Sequence, residues 1–411
     1  MKSTKLSYLF EFPKFKKEIK NLNDIIFFFP FYHFGGGETV HLDILKIFKE
    51  YSTSCFIVHK SDNDFLKNEF ENVTQLIDLG TYKSLKYETY FEVLAKAINA
   101  KENAIIFGCN NIFFYKLLPY IDEKKVKIVD LTHAFSYEDP NSVEIFSLPV
   151  AYKIHKRIVL GPKTYSDFKQ LYENNNIDAN LLKRIVIINN KVDIPAAYPG
   201  KQQNAVLQVL FVSRNSFEKR PEILFEIARR CYERNINAFF TVVGDFENVS
   251  TDLPNVKIVG SVREREKMNE LYEKNDLLLI TSFREGFPMV ILEGMAFGTV
   301  PVSTNVGEIS SFINQENNNG ILLDDLSLKR YISQPHKFQK KEKWLPENIL
   351  QTVPPDLEDI IENFISTITN LDYDRERLKN LSLNAYSTLK ENYSEEKQRN
   401  AYLKLFKNLE N

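Results

Sequence analysis

The chain has 411 residues, of which 43% are hydrophobic and 26% are charged, and its formal net charge is −2. It is too long for a single hydrophobic core, and a nearly balanced charge excludes a broad basic surface for nucleic acid. The three cysteines are scattered, without the spacing of a zinc site, so we expect a reducing compartment and no disulfides.

Membrane contact is the first question that the N-terminal sequence raises. No apolar run reaches the about 18 residues of a spanning helix, and residues 1–20 do not resemble a signal peptide, so we predict a cytoplasmic protein. Those residues contain six lysines interleaved with Tyr8, Phe10, Phe12 and Phe15. The mixture is typical of peripheral docking on an anionic membrane face, or of aromatic residues that cover the protein's own surface.

In the first half, short apolar runs alternate with amphipathic segments, a pattern that favours parallel sheets crossed by helices. The predicted strands are Ile25–Phe29, Cys55–His59, Ala104–Phe107, Val126–Asp130, Arg157–Leu160 and Ile185–Ile188. The predicted helices are Glu38–Tyr51, Tyr87–Ala100, Ile112–Tyr120 and Thr164–Tyr172. Prolines, Gly200 and the polar residues 201–204 then predict a domain boundary near residue 200.

The second half repeats this rhythm, so the fold class is α/β with two doubly wound, Rossmann-like domains facing a cleft. Its predicted strands are Val206–Val212, Ala238–Val243, Val256–Val259, Leu277–Ile280, Val300–Ser303 and Gly320–Leu323. Its predicted helices are Pro221–Arg234, Glu264–Lys274, Pro288–Phe297 and Ile309–Ile313, followed by Leu357–Thr369, Asp374–Lys390 and Ser394–Leu409. Prolines and lysines in 327–355 predict a surface insertion around Trp344.

The stretch from Ser282 to Ala296 carries the clearest chemical signal. It follows a predicted strand and enters a helix at Pro288, so the free amides of the first turn, near Val290, would face the carboxyl edge of the sheet and suit phosphate. Two carboxylates, Glu285 and Glu293, flank this helix start. Taken alone, such a pair could equally be solvent-facing side chains.

The residues around Glu285 and Glu293 make this pattern specific. The sequence Glu-Gly-Phe-Pro-x-Val-x-Leu-Glu-Gly-Met-Ala resembles the E-x7-E motif of retaining GT-B glycosyltransferases, above all family 4 (glycosyl transferases group 1). The flanking segments 259–262, 271–276 and 304–309 resemble the family in the same order. The resemblance implies that Glu285 lies by the hydroxyls of the transferred sugar and that Glu293 binds the ribose. Gly286, Phe287 and Val290 would then line the donor.

The resemblance extends to a cationic segment after the strand 206–212. Arg214 and Lys219 stand where the family has an arginine and a lysine that hold the donor diphosphate. Without the resemblance, both would be ordinary solvated cations. Ser213 departs from the glycine that is usual in the family.

In the N-terminal half, the resemblance assigns a donor-side role to the glycine run 35–37 and to His133. Gly36 and Gly37 lie between the first strand and the helix from Glu38, where family members carry a Gly-Gly loop. His133 follows the strand 126–130, in a region where the family has a histidine that reaches the donor sugar. A flexible turn and a loop-capping histidine are the alternatives.

We expect no metal and no other cofactor. The triplets Asp62–Asp64 and Asp372–Asp374 have the Asp-x-Asp form of metal-dependent transferases but lack its strand context, so we interpret both as surface turns. In the metal's place, the resemblance implies that Arg214 and Lys219 neutralise the leaving diphosphate.

The resulting hypothesis is a retaining hexosyltransferase that uses a UDP- or GDP-sugar and a hydroxyl acceptor on a glycan, lipid-linked glycan or protein, in polysaccharide assembly. The family's architecture implies an acceptor-side domain over 1–200, a nucleotide-sugar domain over 201–390, and a terminal helix in 391–411 that packs back on the first domain. A nucleotide-sugar 2-epimerase and a catalytically silent partner subunit remain as alternatives.

Overall fold

The computed structural model describes residues 2–33, 35–133, 135, 142–202, 204–328 and 355–410. The chain divides into two compact units. The first unit contains residues 1–190 and 398–411, and the second contains 191–397. The predicted insertion around Trp344 falls almost entirely outside the described residues.

A seven-stranded parallel sheet forms the centre of the first unit, with the strand order β3-β2-β1-β4-β5-β6-β7. Its strands are β1 (Ile25–Phe29), β2 (Thr53–Ile57), β3 (Gln75–Asp78), β4 (Ile105–Cys109), β5 (Lys127–Thr132), β6 (Lys156–Val159) and β7 (Ile185–Ile187). All five residues of β1 are buried, as expected of a central strand that helices cover on both faces. The predicted doubly wound sheet is confirmed.

One helix precedes the first strand, and further helices connect the strands. They are α1 (Lys2–Glu18), α2 (Gly36–Ile47), α3 (Lys67–Val73), α4 (Glu88–Asn99), α5 (Ile112–Leu117), α6 (Val143–Ser147) and α7 (Pro162–Asn174). Helix α2 begins at Gly36 with Gly35 as its N-cap, two residues before the predicted start. Two glycines of the predicted loop therefore form the first turn of the helix.

Helix α1 was not predicted as a helix, because Pro13 lies inside it and its apolar residues are spread around it. One face is buried: Phe15 is fully covered, and Tyr8 and Phe12 pack against the core. The rings of Phe12 and Phe15 lie 5.2 and 4.9 Å from that of Tyr90. Three of the four N-terminal aromatic residues thus cover the protein's own core.

A buried ion pair links strands β5 and β6 of this sheet. Arg157 on β6 and Asp130 on β5 are both fully enclosed, and the guanidinium nitrogens lie 2.6–3.1 Å from the carboxylate oxygens. The Tyr115 hydroxyl donates to Asp130 at 3.0 Å, and Arg157 donates to the Tyr172 hydroxyl at 3.0 Å. With its partners in place, the buried charge is neutralised and its hydrogen bonds are made.

The second unit is built on a six-stranded parallel sheet with the order β10-β9-β8-β11-β12-β13. Its strands are β8 (Leu207–Val212), β9 (Ala238–Val243), β10 (Val256–Gly260), β11 (Leu277–Ile280), β12 (Val300–Thr304) and β13 (Ile321–Leu323). Its first helices are α8 (Pro221–Glu233), α9 (Arg265–Lys274), α10 (Met289–Ala296) and α11 (Ile309–Phe312). These elements match the predicted ones to within one residue.

Three further helices follow the segment that is not described: α12 (Glu358–Tyr373), α13 (Arg375–Asn392) and α14 (Glu395–Glu410). From Gln398 onward, α14 belongs to the first unit, where the Phe406 ring lies 4.4 Å from that of Phe48. Among the described residues, no helix is both long and apolar enough to cross a bilayer.

Within the second unit, the segment 191–202 is held by hydrogen bonds to the rest of the unit. The Val192 amide donates to the Tyr393 carbonyl, and the Tyr386 hydroxyl donates to the Pro195 carbonyl. Lys201 donates to three carbonyls at the end of α9, among them those of Tyr272 and Asn275 at 2.7 Å each. An ammonium group suits that position because it meets the negative end of the helix dipole.

Replacing Arg157 by Met leaves the Asp130 carboxylate buried without its partner, so we expect a loss of about 3–5 kcal/mol in the free energy of unfolding. Lys46→Met is the matched control, because it removes a cation from the half-exposed pair with Glu69 and should cost less than about 1 kcal/mol. Urea unfolding followed by circular dichroism measures both. Equal losses in the two variants would contradict this account of the buried pair.

Candidate active site

The sheet of the second unit has its topological switch point between β8 and β11, where the chain leaves neighbouring strands toward opposite edges. Ligands of doubly wound sheets bind at the carboxyl ends of such strands. Ser213 and Arg214 follow β8 directly, and Thr281 and Ser282 follow β11. Most of the predicted donor residues of this unit lie in the two segments that start there.

Lys219 and Glu285 form an ion pair at this point. The Lys219 ammonium lies 2.6 Å from both carboxylate oxygens of Glu285, and the Ser282 hydroxyl donates to Oε1 at 2.6 Å. Only 18% of the lysine side chain and 7% of the glutamate side chain are exposed. Two of the three ammonium hydrogens suffice for these contacts, so the third can serve a ligand.

Arg220 holds the surrounding loops together. It is fully buried and has left-handed backbone geometry (φ 48°) between a 3-10 turn and α8. Its guanidinium donates to the carbonyls of Thr281 and Ser282 at 2.5 and 3.3 Å, and pairs with Asp325 at 2.7 Å. In return, the Thr281 hydroxyl donates to the Lys219 carbonyl at 2.7 Å. The loop that carries Glu285 is therefore tied to Lys219.

Arg214 is held much more loosely. Its side chain is 75% exposed and pairs with Glu218 at 3.1 Å. Exposed pairs of this kind contribute little stability, so exchanging Glu218 for an anionic ligand would cost little. Lys219 is thus fixed, whereas Arg214 is available for exchange.

Helix α10 begins one residue later than predicted, so that Pro288 is its N-cap and Val290 lies in its first turn. Glu293 lies one turn further along, where the Tyr272 hydroxyl donates to its Oε2 at 2.8 Å. Burial raises the pKa of the Glu293 carboxyl above its ordinary value, and the bond from Tyr272 opposes that shift. The carboxylate is thereby oriented by a neighbour on α9.

The Gly286 carbonyl accepts a hydrogen bond from the Glu308 amide at 3.0 Å, and Phe287 is constrained by packing. The Phe287 ring is buried and lies 5.3 Å from that of Phe312, so the predicted contact with the donor would have to come from its backbone. A Cβ at Gly307, whose φ is +59°, would lie 2.2 Å from the Glu285 carbonyl oxygen. Only glycine lets the segment after β12 approach the motif loop so closely.

In the first unit, three side chains meet at the corresponding switch point, between β1 and β4. His133 follows β5, Cys109 ends β4, and His41 lies on α2. Nε2 of His41 is 3.0 Å from Nε2 of His133 and 3.3 Å from Sγ of Cys109. The His41 ring also stacks on Phe29, with centroids 4.3 Å apart. We call these three residues the His-Cys-His cluster.

Burial governs the ionisation of this cluster. It lowers the pKa of the His133 imidazole to about 4 and lowers that of His41 well below its ordinary value. It raises the pKa of the Cys109 thiol well above its ordinary value. Both imidazoles and the thiol are therefore neutral near pH 7. Beside them, a Cβ at Gly36 or Gly37 would meet open space, so a ligand can approach the backbone there.

The second unit also contains the part of the sequence that matches a known protein family. Residues 201–343 match the family Glycosyl transferases group 1. An uncharacterized glycosyltransferase of Methanocaldococcus jannaschii is 27% identical over 188 residues, which are 43% of this chain. The chain spans about half of that relative's length, at 51%. The switch-point residues described above therefore lie in a group 1 domain.

Solved structures extend the likeness to both units. A glycosyltransferase from Rickettsia africae has a TM-score of 0.65 at 16% identity, covering 94% of this chain and 98% of its own. Anabaena HepE in complex with UDP also has a TM-score of 0.65, at 15% identity, covering 94% and 100%. At such identities the likeness concerns the fold, which is the predicted GT-B fold of two Rossmann-like domains.

Of the predicted residues, the structure brings Lys219 and Glu285 of the group 1 domain into contact. Arg214 and Glu293 each have a different partner, and Gly36, Gly37 and His133 belong to the first unit. The Asp triplets have local roles: Asp62 is largely exposed, Asp372 pairs with Arg375, and Asp374 caps α13.

Several residues that build this site were missed by the sequence analysis. Arg220, Ser282 and Tyr272 orient the predicted residues of the group 1 domain, and His41 and Cys109 surround His133. Arg220 directly follows the predicted Lys219, yet the sequence does not indicate which of the two cations is buried. The convergence of His41, Cys109 and His133 depends on the order of the strands in the sheet, and a local sequence pattern does not predict that order.

We expect His133 to remain neutral between about pH 5 and 8, because burial lowers its pKa to about 4. Its unfolded-state pKa is about 6.5, so the free energy of unfolding should fall as the pH falls from about 6.5 toward 4. NMR titration of the histidine rings measures the first effect, and urea unfolding at several pH values measures the second. A His133 midpoint near 6.5 would contradict the lowered pKa of its imidazole.

Proposed function

We propose that the protein is a retaining glycosyltransferase that moves a hexosyl group from a nucleoside-diphosphate sugar to a hydroxyl acceptor. The observation that carries the proposal is the fixed Lys219–Glu285 pair at the switch point of a group 1 domain. UDP is the nucleotide of choice for a first test, because UDP is bound in the HepE structure. GDP is the alternative.

In the proposed reaction the bond between the anomeric carbon and the diphosphate oxygen breaks while an acceptor oxygen bonds to the same face. The acceptor's proton passes to an oxygen of the leaving diphosphate. Negative charge grows on that diphosphate, and fixed cations and amide dipoles stabilise it most effectively because they need no reorganisation. Lys219, Arg214 and the first turn of α10 would supply them.

The two carboxylates would have separate tasks. Glu285, held by Lys219 and Ser282, would accept hydrogen bonds from the sugar hydroxyls in a fixed orientation. Glu293, oriented by Tyr272, would accept those of the ribose. Ribose hydroxyls are the same in ground and transition states, so Glu293 should govern affinity rather than turnover.

Residues of the first unit would also serve the donor. Gly36 and Gly37 offer unobstructed backbone, and the neutral His133 imidazole can donate or accept a hydrogen bond at the donor sugar. This chemistry requires no metal at the diphosphate, because the two cations neutralise its charge. We propose a glycan, lipid-linked glycan or protein hydroxyl as the acceptor, in polysaccharide assembly.

The reaction type can be tested directly. The full chain is incubated with UDP- and GDP-sugars, and released nucleoside diphosphate and changed sugar nucleotide are separated chromatographically. A transferase releases nucleoside diphosphate and forms a glycoside with retained configuration when an acceptor is supplied. An epimerised free product would indicate the epimerase, and binding without release would indicate a silent partner.

The first unit also offers a surface for peripheral membrane contact. On α1, Leu6, Leu9 and Phe10 are 60%, 65% and 73% exposed, and their spacing places them on one helix face. Lys17 continues that face, and Lys16 and Lys20 are exposed nearby. Apolar insertion together with charge attraction is the recognised basis of docking on anionic lipid. We propose that α1 brings the enzyme to such a surface.

The donor assignment predicts distinct variant phenotypes. Lys219→Met and Arg214→Met each remove a cation from the leaving group, so turnover should fall about 100- to 1000-fold, or about 3–4 kcal/mol in the barrier. Glu285→Gln should lower turnover but leave affinity for UDP nearly unchanged. Glu293→Gln should weaken UDP binding about 10-fold or more. Initial rates and calorimetric titration with UDP measure these effects.

Lys274→Met is the matched control, since Lys274 is 62% exposed and pairs with Glu270 on the surface of α9. It should retain both turnover and affinity. If Glu285→Gln loses UDP affinity while Glu293→Gln retains it, the two roles are reversed. Full activity in both glutamate variants would refute the proposed site.

For the membrane surface, replacing Leu6, Leu9 and Phe10 by Ser should abolish flotation with vesicles that contain anionic lipid, because the apolar face is lost. The control variant carries Leu326→Ser and Tyr373→Ser, at exposed apolar residues of the second unit, and should float like the parent. Neutral vesicles should bind the parent weakly. Flotation that is unchanged in the triple variant, or absent in the parent, would exclude the α1 surface.

A further inference from the structure

The His-Cys-His cluster contains more ligand atoms than a hydrogen-bonding role explains. His41 Nε2 has two close neighbours, His133 Nε2 at 3.0 Å and Cys109 Sγ at 3.3 Å. A neutral imidazole nitrogen either accepts through one lone pair or donates one hydrogen, so it serves only one of these neighbours well. The other ring nitrogen, Nδ1, is buried and has no hydrogen-bond partner among the described residues.

Three potential metal ligands converge in this cluster. One donor atom from each of His41, Cys109 and His133 lies within 4.8 Å of the other two. Tetrahedral zinc, with bonds of about 2.0–2.1 Å to nitrogen and about 2.3 Å to sulfur, separates two nitrogens by about 3.4 Å and a nitrogen from a sulfur by about 3.6 Å. The observed 3.0 and 3.3 Å are a few tenths of an ångström shorter.

We propose that His41, Cys109 and His133 bind a borderline-soft divalent metal ion, of the class of Zn²⁺, within the first unit. The two imidazoles bind through Nε2 in their neutral form. Cys109 binds as the thiolate, so its thiol proton is released to solvent when the metal–sulfur bond forms. Three protein ligands leave a fourth position for water or a small anion.

The surroundings favour zinc over copper. A type of copper site with two histidines and one cysteine usually has a methionine as a weak axial ligand. The four methionines of this chain are Met1, Met268, Met289 and Met295, so none lies between residues 2 and 190. The carboxylate-rich sites that magnesium and calcium prefer differ from this set of nitrogen and sulfur ligands.

The ligands come from elements that hold them rigidly. Cys109 is the last residue of β4, and His133 follows the adjacent strand β5. His41 lies on α2 and stacks against the Phe29 ring. Asp130, three residues before His133, is fixed by Arg157 in the same strand pair. Ligands held on or directly beside packed secondary-structure elements need little reorganisation to close on an ion.

The metal would also compete with the reaction, a consequence that rests on the proposed function. There, His133 contacts the donor sugar through the same imidazole that would bind the ion. We therefore expect Zn²⁺ to inhibit sugar transfer and a chelator to restore it.

The decisive experiment measures metal binding without nucleotide sugar or acceptor. The full chain is stripped with a chelator and titrated with Co²⁺, which reports tetrahedral thiolate coordination through visible ligand-field bands and a near-ultraviolet sulfur-to-metal band. We expect one equivalent to bind, with both signals, and Zn²⁺ to displace it. Absence of the sulfur-to-metal band in the unmodified chain would overturn the proposal.

Variants assign the ligands. Cys109→Ala and His41→Gln should weaken Co²⁺ binding by more than the about 10- to 100-fold that loss of an outer-sphere partner costs. Cys55→Ala is the matched control, because Cys55 is also a buried free thiol, on β2 of the same unit. It should bind like the parent, and equal binding by Cys109→Ala would overturn the proposal.

Two further measurements separate the loss of a metal ligand from the loss of the fold or of transferase activity. Zn²⁺ should raise the melting temperature of the parent and of Cys55→Ala, but not of Cys109→Ala, so a folded variant that has lost only its ligand is recognised. Glu285→Gln, altered in the other unit, should bind Co²⁺ normally whatever its transferase activity. Failure of the metal site and failure of the proposed function are therefore distinguishable.

Discussion

The second unit depends on a guanidinium that has no access to solvent. Arg220 brings a full positive charge into the interior, and such a charge is tolerated only when hydrogen bonds and a counter-charge surround it. The carbonyls of Thr281 and Ser282 and the carboxylate of Asp325 provide both. Because a guanidinium donates along several fixed directions, it dictates where each of these loops must lie. The positions of Lys219 and Glu285 follow from that constraint.

Rigidity and availability are divided between the two candidate phosphate-binding cations. Lys219 is enclosed and paired at 2.6 Å, so its position is settled before any ligand arrives. Arg214 projects into solvent beside Glu218 and can exchange partners. A site that stabilises developing charge gains from cations already in place, whereas capture of a ligand gains from one that can reach outward. The segment that follows β8 carries both cations and therefore supplies both rigidity and availability.

The sequence predicts buried parallel strands well, because helices cover both of their faces and leave continuous apolar runs such as that of β1. It does not predict β3, an edge strand in which only Ile77 of four residues is buried, since that pattern is not distinctive. Helix α1 is hidden by Pro13. The motif around Glu285 and Glu293 is local and was recognised. The partners Arg220, His41 and Cys109 come from elsewhere in the chain, and only the fold brings them in.

Helix α14 has a consequence for the order in which the molecule can be assembled. Phe48 and Phe107 of the first unit find part of their aromatic environment in Tyr402 and Phe406. Those residues follow the whole second unit along the chain, so a ribosome makes them only after 191–397 has been synthesised. During translation the first sheet therefore has an incompletely covered face until α14 has been synthesised. The second unit is synthesised in full before that point. The first unit begins the chain, yet it is the last to be completed.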